Sequence, residues 1–208
     1  MTHVIVEAHA ENTEGAMPAS THGPRDRIVY ETAQHLRRTG VTGTGLREVV
    51  VAADAPRGSL QHYFPGGKDQ LVGEALEWAG TWAARRVDEH LARMRRPTPA
   101  RLFAAIVDDW ATDLALRHFE RGCPVAAAVI DCADTNEAVR QAADSALQTW
   151  QRPLADALVS MGRTPRRAQA LSTLMLCALE GAIVLARAQR DTAPLRLVAR
   201  ELGPVLDA

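Results

Sequence analysis

Apolar side chains recur at three- and four-residue intervals along nearly all of this chain, and nowhere do they alternate for long enough to build a sheet. From Arg25 to Thr39, Ile28, Val29, Ala33 and Leu36 fall on one helical face, and Gly40 supplies a stop. Thr44 is placed to cap a second helix with Leu46, Val49, Val50 and Ala53 inward, ending before Pro56 because a residue that precedes proline avoids the α region. Pro56 suits the first turn of a third, short helix, which Pro65-Gly66-Gly67 halts after Phe64. Lys68 opens a long helix through Leu71, Ala75, Trp78, Trp82, Val87, Leu91 and Met94, with room for a bend, before Pro97 and Pro99 mark a turn.

The remainder repeats the pattern. Pro99 to about His118 carries Leu102, Phe103, Ile106, Val107, Trp110 and Leu114 on one stripe, and Cys123 to Ala133 is short and apolar. Thr135 to Met161 repeats Val139, Ala143, Leu147, Trp150, Leu154 and Leu158, with Pro153 predicting a kink or a break. Thr164-Pro165 starts a helix running to about Arg190, and Pro194 starts a last one with Leu195, Val198, Leu202 and Val205 inside. The expected class is all-α with about nine helices. The expected division is an arm over 1–23, a three-helix unit over 24–70, and a larger helical domain over 71–208.

Composition narrows the picture. At 208 residues, 47% hydrophobic and net charge −1, the chain has material for one large core or two modest ones. No run approaches the roughly 18 uncharged apolar residues of a membrane span, and the start lacks a signal-peptide pattern, so the expectation is a cytoplasmic protein without a membrane partner. The first 23 residues have no sustained period and contain no Lys or Arg; they are expected to be disordered, with contact to DNA left open. Cys123, Cys132 and Cys177 are odd in number and lack paired spacing, which predicts buried free thiols and neither a disulfide framework nor a metal site. No cofactor is expected.

The chemically unusual stretch is APRGSLQHYFPGGKDQL, from Ala55 to Leu71. Two short helices joined by a tight turn and preceded by a longer one form a helix-turn-helix, whose second short helix enters the DNA major groove. Arg57 can bond a guanine edge or a phosphate, Gly58 permits close backbone approach, and Ser59 and Gln61 can read base edges. His62 and Tyr63 can reach phosphates, and Lys68 adds charge at a helix N-terminus. Leu60 and Phe64, spaced i, i+4, point inward. Taken on physics alone, the same stretch also fits a packed corner of an all-α domain.

The segments RIVYETAQHLRRTGV, TGLREVVVAADAPRGSLQHYF and KDQLVGEAL together resemble the N-terminal domain of the TetR/AcrR family of transcriptional repressors. The Phe-Pro-Gly-Gly-Lys turn, Gly122-Cys123-Pro124 and Glu180-Gly181-Ala182 are similar to its LmrA/YxaF-like branch, which includes lincomycin- and flavonoid-responsive repressors. The resemblance implies DNA contacts from Thr44, Arg57, Gly58, Ser59, Gln61, His62, Tyr63 and Lys68. It also implies a ligand pocket among the middle helices, with Trp78, Trp82, Phe103, Trp110, Trp150, Cys177 and Glu180 as candidates for a planar, hydrophobic effector. Three departures stand out: Asp54 replaces a turn glycine, Val50 a small alanine and Gln61 a tyrosine. Glu180 is open to three readings: binding a cationic or hydroxylated ligand, pairing with an arginine, or facing solvent.

One short reading helix has too few contacts for a specific site, so a homodimer on a palindromic operator is expected. Ala178, Gly181, Ala182, Leu185 and Ala186, with Leu195, Val198 and Leu202, suit a four-helix dimer interface. The implied switch is an effector that displaces the long fourth helix and disfavours the spacing DNA requires. Two rivals stand beside it. An enzyme has only scattered carboxylates to work with (Asp108, Asp109 and Asp113; Asp131 and Asp134), with no metal pair, nucleophile elbow or phosphate loop. A DNA binder of the same fold with a filled core would serve an architectural or cell-division role without a switch.

Overall fold

The computed structural model describes residues 23–56 and 58–208; the expected arm and Arg57 lie outside the described residues. The described residues form nine helices and no strand: α1 Pro24–Thr39, α2 Leu46–Ala52, α3 Ser59–Tyr63, α4 Gly67–Arg93, α5 Pro99–Leu116, α6 Pro124–Cys132, α7 Glu137–Ser160, α8 Pro165–Gln189 and α9 Ala193–Asp207. Local chemistry sets most of the boundaries. Thr98 accepts from the Arg101 N–H and Thr164 from the Arg167 N–H, each followed by a proline at the first helical position. Asn136 caps α7 through Val139 N–H, so the helix begins at Glu137, two residues after the Thr135 at which the apolar pattern opens.

Three local expectations are corrected. Thr44 does not cap α2, whose first turn follows Gly45; Thr44 is buried and its hydroxyl donates to the Gly40 carbonyl at 2.6 Å. Pro56 precedes α3 without entering it, so the third helix is only five residues long. Pro153 neither breaks nor ends α7, because Trp150, Leu154, Ala157 and Leu158 are all buried along the same helix and tertiary packing outweighs the lost backbone bond.

The core is continuous from the small N-terminal unit to the C-terminal helices. Ile28, Leu36 and Val49 join Leu71 and Leu76 on α4, and these join Phe103, Leu154, Leu171 and Leu179. The expected boundary after residue 70 thus falls inside α4, the helix that both parts share. The main partner of α4 is α7, and α9 lies chiefly on α5. At the α4–α7 crossing the backbones nearly touch: a β-carbon on Gly80 would sit 2.6 Å from the Ala146 carbonyl oxygen.

The last helices are less inward-facing than their apolar pattern predicts. Leu195 and Leu206 are buried, Val198 and Leu202 are half-buried, and Val205 is exposed. On α8, Leu174, Cys177, Gly181, Val184 and Leu185 are exposed while Ala182, Ile183 and Ala186 are buried. Cys177 is therefore an exposed thiol, unlike buried Cys123 and Cys132. The helix is apolar on both faces, which also makes α8 long and apolar enough, by length and composition, to cross a membrane; 44% of that window is buried inside the protein.

Candidate nucleic-acid interface

The turn between α2 and α3 depends on Asp54, which takes a left-handed conformation with φ 46°. Aspartate tolerates this better than most residues, so the departure from glycine leaves the turn formed. A partner that sequence patterning does not reveal holds it there: Arg27 on α1 donates from Nε to the Ala53 carbonyl at 2.8 Å and from Nη2 to the Asp54 carbonyl at 2.9 Å. Val50, the larger residue in place of a small alanine, is accommodated as a buried side chain of α2.

On α3 the two faces separate as the i, i+4 spacing requires. Phe64 is 2% exposed and Leu60 packs partly against the core, whereas Gln61 and His62 are exposed. Tyr63 is half-buried, with its ring edge-on to both His62 and Phe64. The Arg25 guanidinium lies 5.5 Å from the Phe64 ring centre, fastening α1 to the end of α3. Gly58 is exposed with φ −80°, and a β-carbon there would meet nothing within 4 Å. Its space and φ do not require a glycine, and the surface beside it is open. Ser59, like Thr44, is buried, so neither hydroxyl is presented on this surface.

After α3 the chain turns through Gly66 and Gly67, the latter at φ 73° with its N–H bonded to the Phe64 carbonyl. The Gln70 side chain accepts from the Gly66 N–H at 2.8 Å, closing the turn. Lys68 sits in the first turn of α4, half-buried, its charge felt by Asp131 of α6.

The C-terminal helices grip this unit at two places. Asp131 accepts from the Thr42 backbone N–H at 2.5 Å and from its hydroxyl at 3.0 Å, and these bonds hold its carboxyl below the usual range. Gly40, at φ 69°, makes room for it, since a β-carbon would lie 2.9 Å from the Asp131 Oδ2. The carboxylate weighed as enzymatic is thus a structural clamp. The second grip joins α1 to the segment between α5 and α6: the Gly122 N–H donates to the Arg37 carbonyl, and the Arg37 Nε donates back to the Gly122 carbonyl, both at 2.8 Å. Arg37 also forms an ion pair with Asp113 and lies over the Trp110 ring. Arg187 of α8 reaches the same segment at the Phe119 and Glu120 carbonyls.

The aromatic candidates divide into two groups. Phe103, Trp110 and Trp150 are buried in the core. Trp78 and Trp82 are half-buried on α4, stacked with centroids 6.5 Å apart, and Tyr30 of α1 meets Trp78 edge-on. Cys177 lies apart from both groups, on the outer face of α8. Glu180 is half-buried as a residue, but its Oε1 is sealed and among the described residues has no hydrogen-bond partner, with the Cys123 thiol as the carboxyl's hydrogen-bonding neighbour and no arginine acting on it. Burial raises the carboxyl to about 7 against the lowering effect of that thiol. An open groove of about 480 Å³ between α4 and α7, lined by Asp88, Arg152, Asp156 and Ser160 among others, includes none of the aromatic candidates.

Comparison with known proteins agrees with this architecture. Residues 99–201 match the C-terminal domain of LmrA/YxaF-like transcriptional regulators. An HTH-type transcriptional regulator of Mycobacterium tuberculosis is 36% identical over 189 residues, covering 88% of this chain and 94% of the relative. The HTH-type transcriptional regulator LmrA of Bacillus subtilis is 26% identical over 171 residues, covering 82% and 90%. In structure, the regulatory protein TetR from Rhodobacter sphaeroides superimposes with a TM-score of 0.75 at 24% identity, over 87% of this chain and 97% of that one. With a relative 36% identical over most of both chains and a match to the LmrA/YxaF-like C-terminal domain, the chain belongs to the TetR family of DNA-binding transcription regulators, in its LmrA/YxaF-like branch.

Proposed function

We propose that the protein is a ligand-responsive repressor that binds a palindromic operator as a homodimer and is released by a small hydrophobic or aromatic effector. The observation that carries the DNA assignment is the division of α3, with Phe64 and Leu60 inward and Gln61 and His62 outward beside the open Gly58. Gln61 is the base-reading side chain, suited to adenine, and His62, Tyr63 and Lys68 grip phosphates. Arg57 joins the reading set on its chemistry and position in the sequence. Thr44 and Ser59 act from beneath, keeping the turn and α3 in register, instead of touching the duplex.

The dimer forms through the outer stripe of α8, where Leu174, Ala178, Gly181 and Leu185 follow one another at three- and four-residue spacing, with α9 beside it. Gly181 lets the symmetry mate approach closely, since nothing in its own chain fills the space of a β-carbon. Ala182, Ala186 and Leu195, part of the same apolar pattern, serve the core of each protomer instead.

An effector that fits best with α4 displaced would disfavour the operator-bound spacing, and operator would weaken effector in return; a coupling of about 1–3 kcal/mol gives roughly 5- to 150-fold relief. The packed positions of Phe103, Trp110 and Trp150 favour a second reading, a DNA-binding protein of this family with a filled core and no switch. The unpartnered Glu180 favours the first. Selecting bound fragments from genomic DNA and then titrating compounds against the complex tests both: a palindromic site and compound-dependent release support the repressor. Non-specific binding that no compound relieves supports the alternative.

A further inference from the structure

We infer that Glu180 is the anchor for an effector that carries a positive charge, an apolar amine whose ammonium group supplies the counter-ion the carboxyl lacks. This deepens the ligand-responsive reading above and rests on it.

A carboxyl group sealed from water is stable only when paired, hydrogen-bonded or protonated. Glu180 has the Cys123 thiol beside its carboxyl, and its Oε1 has no partner among the described residues. Arg187, two turns along α8, is turned away to the Phe119 and Glu120 carbonyls, so it does not neutralise Glu180. Solvent does not reach Oε1, and among the described residues no cationic side chain perturbs the carboxyl. Of the three readings open for Glu180 in the sequence, pairing with arginine and facing solvent are therefore removed. What is left is a cationic or hydroxylated ligand, and a cation is the one that supplies the charge partner a carboxyl cut off from arginine lacks.

The position makes such an exchange consequential. Cys123 follows Gly122 directly, and Gly122 is the residue that exchanges two 2.8 Å hydrogen bonds with Arg37 of α1. A ligand on Glu180 therefore presses against the segment that carries the DNA-reading unit. The thiol itself is a contact, not a reactive group: burial raises Cys123 and keeps it protonated.

The test uses the full-length protein with 1-naphthylmethylammonium and its uncharged counterpart 1-methylnaphthalene, followed by calorimetry at pH 6 and pH 8. The ammonium compound stays charged at both values. The expected result for wild type is ammonium affinity at least tenfold above that of the hydrocarbon at pH 8, falling about tenfold at pH 6, with net proton release on binding. Glu180→Gln, nearly equal in shape, is expected to erase both the preference and its pH dependence, with folding checked by circular dichroism. Equal affinity for the two compounds, a preference that survives Glu180→Gln, or no binding of the ammonium compound overturns the inference. If another compound still releases operator from both wild type and Glu180→Gln, the ligand-responsive reading stands and the cation anchor alone is lost.

Discussion

Arg37 and Gly122 are joined by a reciprocal pair of 2.8 Å hydrogen bonds, backbone to backbone and side chain to backbone, across the seam between α1 and the body of the protein. Because Arg37 also pairs with Asp113, covers Trp110 and donates to the Gln34 side chain, one side chain serves four neighbours. Arg37→Ala leaves a carboxylate and a carbonyl unmatched in a poorly solvated place, at a cost of about 3 kcal/mol in urea unfolding. Arg37→Lys is expected to recover only a minor part, since an ammonium cannot reproduce the planar fork.

The recognition surface separates by salt dependence. Arg57→Ala is expected to relax base preference, whereas Lys68→Ala weakens all duplexes alike and lowers the slope of log affinity against log salt by about one unit. Fluorescence anisotropy on operator and scrambled duplexes at several salt concentrations reads both effects. Wild-type affinity in both variants would remove Arg57 and Lys68, on either side of α3, from the interface.

Asp131 has a carboxyl lowered by the Thr42 backbone N–H, so it stabilises the fold above the ordinary carboxylate range and ceases to as pH falls through its own lower value. Asp131→Asn is expected to be less stable than wild type at pH 6, with the gap closing toward pH 3. Chemical unfolding across that range measures it.

Glu180 carries the opposite sign. Its folded value of about 7 lies above the ordinary 4.5, so its contribution is intact below about 4.5 and is lost as pH rises through about 7. Glu180→Gln is expected to be the more stable protein at pH 8, by on the order of 3 kcal/mol, and to match wild type near pH 4. Thermal melts across pH 4–8 check this.

Leu185 is 51% exposed on the outer stripe of α8. Leu185→Glu places a charge where the symmetry mate is proposed to pack, and is expected to shift the protein to monomer in sedimentation and to abolish binding to a full palindrome. Helix content should not change.

Helices were legible because their period and caps are local properties. Thr98-Pro99 and Thr164-Pro165 start helices where the cap-then-proline rule puts them. The failures are those in which distant packing decides. Nothing near Pro153 in sequence announces that Trp150 and Leu154 will hold α7 together, and nothing near Thr44 announces that its hydroxyl will turn back to Gly40. In α3 the polar and apolar faces could be read from spacing, but the burial of Ser59 could not, because a five-residue helix has too few turns to define its inner edge. The clamping roles of Arg27, Arg37 and Asp131 have no sequence pattern for a related reason: each acts on a backbone group in another element, and a backbone carbonyl or N–H has no sequence signature. The same locality hid the isolation of Glu180, since only folding reveals which groups fail to arrive.

The contact of Gly80 with Ala146 fixes how α4 is able to move. Two backbones this close cannot slide past one another without collision, so the permitted motion is a swing with Gly80 as its fulcrum. From there to Gly67 the helix forms an arm of about 20 Å, and a tilt of about 5° carries its tip by roughly 2 Å. In the symmetric pair proposed above, a swing of both arms would change the distance between the two reading heads by up to twice that amount.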